Sequence, residues 1–398
     1  MIELASHNAC TGCGACAYKC PKGCIKMEED HLGIIFPVVD KAACIGCHAC
    51  ERICPILNEL PCYPSRTAYA AWSNDVDERH TSASGGIAME MYKHALAHGY
   101  AAVGASQNDD FSVTHKMTDK TECLAPFKNS KYVFSSSLRV FPQIRDVLAA
   151  GCKVIFVGLP CQVAALRKLF CDHEDLFLVD VVCHGVTPYV WLKQHIDMLS
   201  RNVGTVARRM SFRDPHTYTY TFTFTLYSAD NQCFYAKRTK DGDSYQFGYH
   251  RAVSYRENCY QCRFAKPERV SDITIADYHG LGLCKPCSYD ARNVSLILEN
   301  TEKGSEFVKE LIDSGRIFTE QRPTEEPFMG ERQLRHPSVK TKYRIMFEKE
   351  IVAHNGNFEM AMKKPMAQYY KDNILLLPLK MVKKVMKSMF GNSFKSLL

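Results

Sequence analysis

The first sixty residues contain one cysteine spacing twice, and this repeat constrains the fold more than any other feature. Both copies read C-x2-C-x2-C-x3-C-P, and they begin 34 residues apart. The first copy contains Cys10, Cys13, Cys16 and Cys20, and the second contains Cys44, Cys47, Cys50 and Cys54. The spacing is typical of cubane iron–sulfur clusters, because a tight loop with a cysteine at every third position turns three thiolates toward one centre.

The fourth cysteine of each copy is expected to serve the other cluster, since the helix near the following proline carries it out of its own loop. The predicted ligands of one [4Fe–4S] cluster are Cys10, Cys13, Cys16 and Cys54, and those of the other are Cys44, Cys47, Cys50 and Cys20. Two zinc sites are the alternative, but a zinc ion takes four ligands, usually from two C-x2-C pairs. The third regularly spaced cysteine of each motif would have no role in such a site. Cys24 and Cys62 lie outside the pattern and are interpreted as ordinary buried thiols.

Length, N-terminus and charge indicate a larger cytoplasmic protein around this module. A chain of 398 residues is long enough for two or three domains. It begins without the basic and apolar regions of a secretion signal, so its 20 cysteines are expected to stay reduced in the cytosol. No apolar run reaches the roughly 18 residues of a membrane span. The whole net charge of +7 lies in the segment from Ala361 onward, so we expect no nucleic-acid face on the main body.

Strand-like and helix-like segments alternate from about Tyr69 onward, which favours an α/β domain. The predicted strands are residues 101–106, 153–158, 175–182, 272–277 and 294–299. The predicted helices are Gly86 to His98, Leu138 to Ala150, Cys161 to Phe170, Tyr189 to Ser200 and Ser305 to Ser314. The alternating run from Thr217 to Tyr227 predicts one strand of an antiparallel ribbon that continues through residues 231–238.

Two short segments have the chemistry of a phosphate site. Ser84, Gly85 and Gly86 open a predicted helix, whose first backbone amides are free to bind an anion. The segment Ser130-Lys131-Tyr132 adds a positive charge. No G-x-G-x-x-G follows a strand, which disfavours a Rossmann dinucleotide fold. Taken alone, a Ser-Gly-Gly sequence is more often a plain helix cap.

Seven motifs in a fixed order give these segments a context. They are Ser84-Gly85-Gly86, Ser130-Lys131-Tyr132, GLPCQVAALRK at 158–168, CHG at 183–185, SFRD at 211–214, NCYQC at 258–262 and SDITIADYHG at 271–280. In this order they resemble the family of coenzyme F420 hydrogenase/dehydrogenase beta subunits over roughly residues 66–305. The resemblance implies an FAD near the first two motifs. The sequence departs from the family at Tyr278-His279, where Phe-Trp is common, and this puts the aromatic packing near the flavin in doubt.

The resemblance also implies a third [4Fe–4S] cluster. Its ligands would be Cys161, Cys183, Cys259 and Cys262, which coincide with cysteines of the family motifs. Composition alone favours about equally the alternative in which Cys161 and Cys183 are buried structural thiols and Cys259 and Cys262 bind nothing. Cys284 and Cys287 form a competing pair, and in a further alternative one or both of them replace a ligand. His184 and Asp277 are the titratable residues nearest these motifs, and groups beside a metal loop usually orient its ligands.

The basic C-terminal tail predicts an amphipathic helix from Leu379 to Phe390. Such a helix either lies on an anionic membrane, docks a partner or packs on its own domain. Membrane association of an otherwise cytoplasmic protein is therefore one of the alternatives.

The predicted class is α+β, in three parts. A bacterial dicluster ferredoxin module occupies residues 1–65, a mixed α/β flavin and iron–sulfur domain with an antiparallel ribbon occupies 66–330, and a basic helical region occupies 331–398. The predicted function is an oxidoreductase in which FAD exchanges a hydride with a substrate or deazaflavin and passes single electrons to the clusters. Its partner is a redox protein or a small molecule, and no catalytic residue is assigned. The alternative is a non-catalytic electron-transfer subunit that docks a partner enzyme, for example in polysaccharide or envelope biosynthesis.

Overall fold

The computed structural model describes residues 2–171, 173–217 and 219–375. The N-terminal region is small, with two short helices and one antiparallel strand pair. Its elements are α1 (Ala15–Lys19), β1 (Ile25–Glu29), β2 (Ile35–Val39) and α2 (Ala49–Arg52). Each helix begins between the second and third cysteine of its motif and ends before the fourth, so the prediction that a helix near the proline carries the fourth cysteine is wrong in its position.

The rest of the described chain contains twelve strands and ten helices, apart from short 3-10 turns. The strands are β3 (Thr67–Ser73), β4 (Tyr100–Gln107), β5 (Val113–Thr118), β6 (Ser135–Ser136), β7 (Lys153–Gly158), β8 (Leu176–Val181), β9 (Arg209–Ser211), β10 (Thr223–Tyr227), β11 (Cys233–Arg238), β12 (Ile273–Asp277), β13 (Ser295–Glu299) and β14 (Ile317–Arg322). The helices are α3 (Val76–Thr81), α4 (Ile87–Ala97), α5 (Phe141–Ala149), α6 (Pro160–Phe170), α7 (Tyr189–Val203), α8 (Ser244–His250), α9 (Glu302–Asp313), α10 (Glu325–Gly330), α11 (Lys342–Ala353) and α12 (Phe358–Leu375).

A nine-stranded mixed sheet organises the large region, in the order β14-β3-β13-β12-β8-β7-β4-β5-β6. Strands β4, β7, β8 and β12 run parallel, so their carboxyl ends meet at one edge of the sheet. Open α/β sheets build their binding sites at this edge. The segments that follow β7, β8 and β12 carry Cys161, Cys183 and Tyr278, respectively.

Two apolar cores cover the faces of this sheet. Along β7, Ile155 and Val157 enter the core formed with α4 and α9, whereas Val154 and Phe156 enter the core formed with α5 and α6. A strand buried on both faces has a continuous apolar run, which is why the sequence located β7 well. The second core also contains Ala15 and Ile53, so the N-terminal region packs directly on the large region.

The alternating run near Thr217 is only partly a strand. Strand β10 begins at Thr223 and pairs antiparallel with β11 and with β9, whereas two 3-10 turns occupy the residues before it. The prediction of a strand from Thr217 is therefore wrong in its first half. Arg213 gives the reason, because its guanidinium donates to the Thr219 carbonyl at 2.7 Å and lies 4.4 Å from the centre of the Phe222 ring. These contacts hold the chain in a turn, and Phe222 itself has a positive φ of 52°.

The predicted tail helix, Leu379 to Phe390, lies outside the described residues. None of the helices within the described ranges combines the length and apolar character that crossing a membrane requires. The division of the chain at residues 65 and 330 stays a prediction. The backbones of Tyr63 and Arg269 pair as an isolated β-bridge across the first of these boundaries.

Candidate iron–sulfur and cofactor site

The structure brings the four cysteines predicted for the first cluster to one pocket. Cys10, Cys13, Cys16 and Cys54 line it, and we call them the first group. Cys10 and Cys13 come from one loop and Cys16 from the first turn of α1, while Cys54 follows α2 of the other copy. Burial and the neighbouring thiolates of Cys10 and Cys54 raise the pKa of Cys13 to about 11. Four crowded, half-buried thiols of this kind favour a bound metal, because a metal stabilises their ionised form.

The other four predicted ligands line a second pocket, together with one further thiol. Cys20, Cys44, Cys47 and Cys50 are here called the second group. Cys24 lines the same pocket, and its Sγ lies 3.4 Å from the Sγ of Cys20. Cys24 is buried, as predicted, but nothing in the spacing indicated that a cysteine four residues after Cys20 lies in this pocket. Cys62 packs instead at the border of the core beneath α5 and α6.

A third cavity, of about 690 Å³ including its mouth, collects the remaining predicted ligands. Cys161, Cys183, Cys259 and Cys262 line it and are here called the third group. Cys161 lies at the start of α6 directly after β7, Cys183 follows the parallel strand β8, and the other two lie at a 3-10 turn, Glu257–Gln261. Across the described part of the chain, no three His, Cys, Asp or Glu side chains are arranged to share a single metal ion.

Electrostatics ties the third group together. Burial and the adjacent Cys262 thiolate raise the pKa of Cys259 to about 11. Burial, followed by repulsion from the other three thiolates and then from Cys13, raises the pKa of Cys161. Cys284 and Cys287 do not line this cavity. Cys284 is exposed, with its Sγ 3.6 Å from the sulfur of Met329.

The first and third groups share a wall. Thr11 and Cys13 line both pockets, and Gly12, which lies between them in the chain, also faces the third cavity. Gly12 has a positive φ of 71°, so the loop can turn tightly at this wall. One stretch of backbone therefore separates the two sets of thiols.

A fourth, larger cavity of about 1860 Å³ including its mouth contains the predicted flavin contacts. Ser84, Gly86, Ser130, Lys131 and Tyr132 line it, but Gly85 does not. A Cβ on Gly85 would lie 2.5 Å from the carbonyl oxygen of Ala71, and its amide donates to the Ser295 hydroxyl at 2.9 Å. Gly85 therefore serves close packing of two backbones and, unlike the other five predicted contacts, has no place in the wall of this cavity.

The start of α4 and Lys131 form the cationic part of this cavity. Gly86 caps α4 with a positive φ of 85°, and Ile87 and Ala88 of the first helical turn line the cavity. The Lys131 ammonium donates to the carbonyls of Pro126 and Lys128 at 2.9 and 2.7 Å. Burial lowers the pKa of Lys131 to about 7. No carboxylate in the described residues lies within 4 Å of this ammonium, so an anionic ligand would be its counter-charge.

Aromatic rings and an ion pair line the same cavity on another side. Tyr132 stacks on Tyr249 with ring centres 4.3 Å apart, and His250 meets Tyr132 edge-on at 5.3 Å. Arg213 donates to Asp277 at 2.7 Å. Burial would lower the pKa of Arg213, but the Asp277 carboxylate outweighs it and raises the pKa. The sequence marked Asp277 and the SFRD motif, but it carried no signal for Tyr249 or His250.

His184 lies between the third and fourth cavities and lines both. Its Nε2 lies 3.5 Å from the buried carboxylate of Glu331, and the Nε2 of His279 lies 3.7 Å from the same group. Burial would raise the pKa of Glu331, but its hydrogen bond with His184 holds the pKa below the ordinary value. Tyr278 turns away from the cavity, and its hydroxyl donates to Glu326 at 3.0 Å. Of the unusual Tyr-His pair, only His279 lines the cavity.

Known proteins match two parts of this chain. Residues 151–325 match the C terminus of the family described as coenzyme F420 hydrogenase/dehydrogenase, beta subunit, and residues 9–57 match the 4Fe-4S dicluster domain. One curated relative belongs to the F(420)H(2) dehydrogenase of Methanosarcina mazei. This dehydrogenase subunit is 26% identical over 181 residues, or 42% of this chain and 51% of the relative. The chain thus spans about half the length of that relative.

One similar solved structure is the xenon-derivatised F420-reducing [NiFe] hydrogenase complex from Methanosarcina barkeri. The similarity has a TM-score of 0.44 at 17% identity, and it covers 78% of this chain and 92% of the matched chain. The family matches confirm the resemblance that the sequence motifs indicated. The chain therefore joins a 4Fe-4S dicluster domain, at residues 9–57, to a region of the family of coenzyme F420 hydrogenase/dehydrogenase beta subunits, at residues 151–325.

Proposed function

We propose that this protein is an iron–sulfur flavoprotein oxidoreductase, in which FAD exchanges a hydride with a small-molecule substrate or deazaflavin and electrons move singly through three [4Fe–4S] clusters. One observation carries the proposal: residues 183–186 line both the large cavity and the cavity of the third group. A cofactor in the first would therefore lie against a cluster in the second.

The residues of the large cavity suit a flavin dinucleotide. The amides at the start of α4 and the Lys131 ammonium would bind its diphosphate, since helix N-termini and lysines favour anions. Tyr132 and Tyr249 would pack beside the ring system or the adenine. A bound FAD would accept a hydride as two electrons and release them one at a time. A cubane cluster accepts a single electron, so it cannot take a hydride directly.

The chain's own residues fix the local charges. Arg213 and Asp277 form a direct ion pair at one wall of the cavity. His184 and the ionised Glu331 form a second polar pair where the two cavities meet. The Nε2 atom of His184 faces this buried carboxylate at 3.5 Å.

The three groups of cysteines form a series of sites that leads from the large cavity into the N-terminal region. The third group borders the first group through the loop at Gly12, and the second group lies in the same small N-terminal region. Cys47 of the second group is exposed, as is the neighbouring side chain of Ile45. We therefore place the exchange of electrons with a protein partner there. The curated relative is named as a subunit of a dehydrogenase, which supports a protein partner for this chain as well.

The test uses the anaerobically purified full-length protein. We expect one FAD and about twelve irons per chain, four for each cluster. Cys259→Ala should leave FAD bound and reducible by a hydride donor but stop reduction of the first two clusters. Cys233→Ala is the matched control, because Cys233 is exposed on β11 and lines none of the cysteine pockets described above.

Two results would contradict the proposal. Unchanged electron transfer in Cys259→Ala would remove the third group from the route. A wild-type protein that binds no flavin would leave the alternative function, an electron-transfer subunit that docks a partner enzyme.

A further inference from the structure

Arg256 is a buried arginine at the junction of the N-terminal and large regions. Its side chain is 2% exposed. It stands directly before the 3-10 turn Glu257–Gln261, which carries Cys259, and its backbone amide donates to the Val186 carbonyl at 2.9 Å. Arg256 thus belongs to the segment that presents the third group.

The guanidinium reaches across to the loop of the first group. Its Nη2 donates to the carbonyls of Cys10 and Ile35 at 3.1 and 2.9 Å, and its Nε donates to the Asn258 side chain at 3.2 Å. Its central carbon lies 4.9 Å from the centre of the Phe134 ring. A Cβ on Gly12 would lie 3.2 Å from the guanidinium nitrogens, so a glycine is needed where the arginine passes the cysteine loop.

All of these partners are neutral. No carboxylate in the described residues lies within 4 Å of Arg256. Other buried arginines in the protein are paired: Arg269 with Asp180 at 2.8 Å, and Arg167 with Asp272 at 3.1 Å. Burying an unpaired charge is strongly unfavourable, and proteins normally compensate it with an opposite charge. The compensating charge of Arg256 must therefore come from something other than a directly bound carboxylate.

Predicted cluster ligands stand on both sides of this guanidinium. Cys10 of the first group accepts from its Nη2 through the backbone carbonyl, and Cys259 of the third group follows Arg256 by three residues, directly after Asn258, whose side chain accepts from its Nε. Cysteines that bind a metal are thiolates, so a cluster at either group would place negative charge near the arginine. The arginine therefore lies between the loop of the first group and the turn that carries Cys259.

We propose that Arg256 is the shared counter-ion of the first-group and third-group clusters, a positioning residue that offsets the repulsion between two anionic clusters and raises both reduction potentials. The inference rests on the proposed function, because it requires a cluster at the third group. An added electron makes a cluster more negative, so a nearby positive charge favours the reduced state. The direct hydrogen bonds to Cys10 and Ile35 also fix the segment of the third group relative to the first cysteine loop.

The test is a redox titration of full-length protein followed by electron paramagnetic resonance. In Arg256→Gln, both clusters should become harder to reduce, with the reduced-to-oxidised ratio at fixed potential falling about tenfold, or about 59 mV for one electron. The second-group cluster, whose cysteines Arg256 does not contact, should keep its potential. Arg256→Lys keeps the charge and should restore most of the shift.

Arg263→Gln is the matched control. Arg263 is exposed, lies on the same segment and also donates to a carbonyl of the N-terminal region, that of Ile56. It should leave all three potentials unchanged. If Arg256→Gln loses the third cluster while Arg256→Lys keeps it, the requirement for a charge is supported.

Three outcomes would overturn the inference. The first is a wild-type potential for both clusters in Arg256→Gln. The second is an equal shift, or an equal loss of the cluster, in Arg256→Gln and Arg256→Lys, because only the shape of the guanidinium would then matter. The third is a wild-type iron count of about eight, as two clusters alone would give, which also removes the proposed function. The iron count is measured first, so a failure of the proposed function is distinguished from a failure of the counter-ion role.

Discussion

Gly185 offers a sharp test of how the wall between the two cavities is built. It lies in the segment 183–186 that lines both, and its φ is +144°, where residues with a side chain are strained. A Cβ at this position would lie 2.3 Å from the Cδ2 atom of Tyr255. The Tyr255 ring cannot move aside easily, because it is buried and packed edge-on against Tyr249 at 5.3 Å.

The expected cost of Gly185→Ala has two parts. The unfavourable backbone conformation costs about 1–3 kcal/mol, and forcing a methyl group into packed space costs about 1–3 kcal/mol more. Cys183 stands two residues earlier, and Arg256 follows Tyr255 directly in the chain. We therefore expect the strain to be relieved by displacement of the third group, with iron content falling from about twelve to about eight per chain.

The assay combines iron analysis with urea unfolding of the anaerobically purified protein. Gly204→Ala is the matched control, because Gly204 has a positive φ of 72° at the end of α7 but a Cβ there would meet nothing within 4 Å. It should cost only about 1–2 kcal/mol and keep every iron. Wild-type iron content and stability in Gly185→Ala would refute this account of the wall.

Three further predictions concern separate parts of the molecule. Cys20→Ala alone should retain much of the second-group cluster, because Cys24 lies 3.4 Å from the Cys20 sulfur, whereas Cys20→Ala with Cys24→Ala should lose about four irons; equal loss in both variants would contradict a role for Cys24. Lys131→Met should weaken FAD binding roughly tenfold or more, as expected for loss of a charged hydrogen bond of about 1.5–3 kcal/mol, and an unchanged dissociation constant in flavin titration would exclude a contact. Burial would lower the pKa of His195, but Asp243 and then Glu359 raise it to about 9; the stabilisation should be complete below about pH 6.5 and be lost as the pH rises through 9. His195→Gln should abolish that decline in unfolding free energy, and an identical pH profile would contradict the assignment.

Local sequence signals correctly predicted the elements that depend on residues close together in the chain. Strand β7 was predicted at its observed bounds, because a run of consecutive buried apolar residues separates cleanly from the polar segments around it. The repeated motif likewise anticipated which thiols share each pocket of the N-terminal region, because three of them lie within one short stretch and the motif assigns the fourth to the other copy. The alternating run before β10 led to a wrong prediction of a strand. The contacts of Arg213 with Phe222 and Thr219 hold the chain in a turn there, and the alternation of residue types gives no sign of them.

The sequence by itself therefore determined the chemistry of this protein: cysteines in three sets, a glycine-rich helix start and a lysine that follows later in the chain. Only the tertiary structure decided which of those groups face a cavity. It assigned Gly85 to backbone packing, brought Cys24 against Cys20, and buried Arg256 against the Cys10 loop without a directly bound carboxylate. The physical reason is that charge compensation and close packing depend on atoms far apart in the chain, such as those of Arg256 and Cys10, and no spacing along the chain records them.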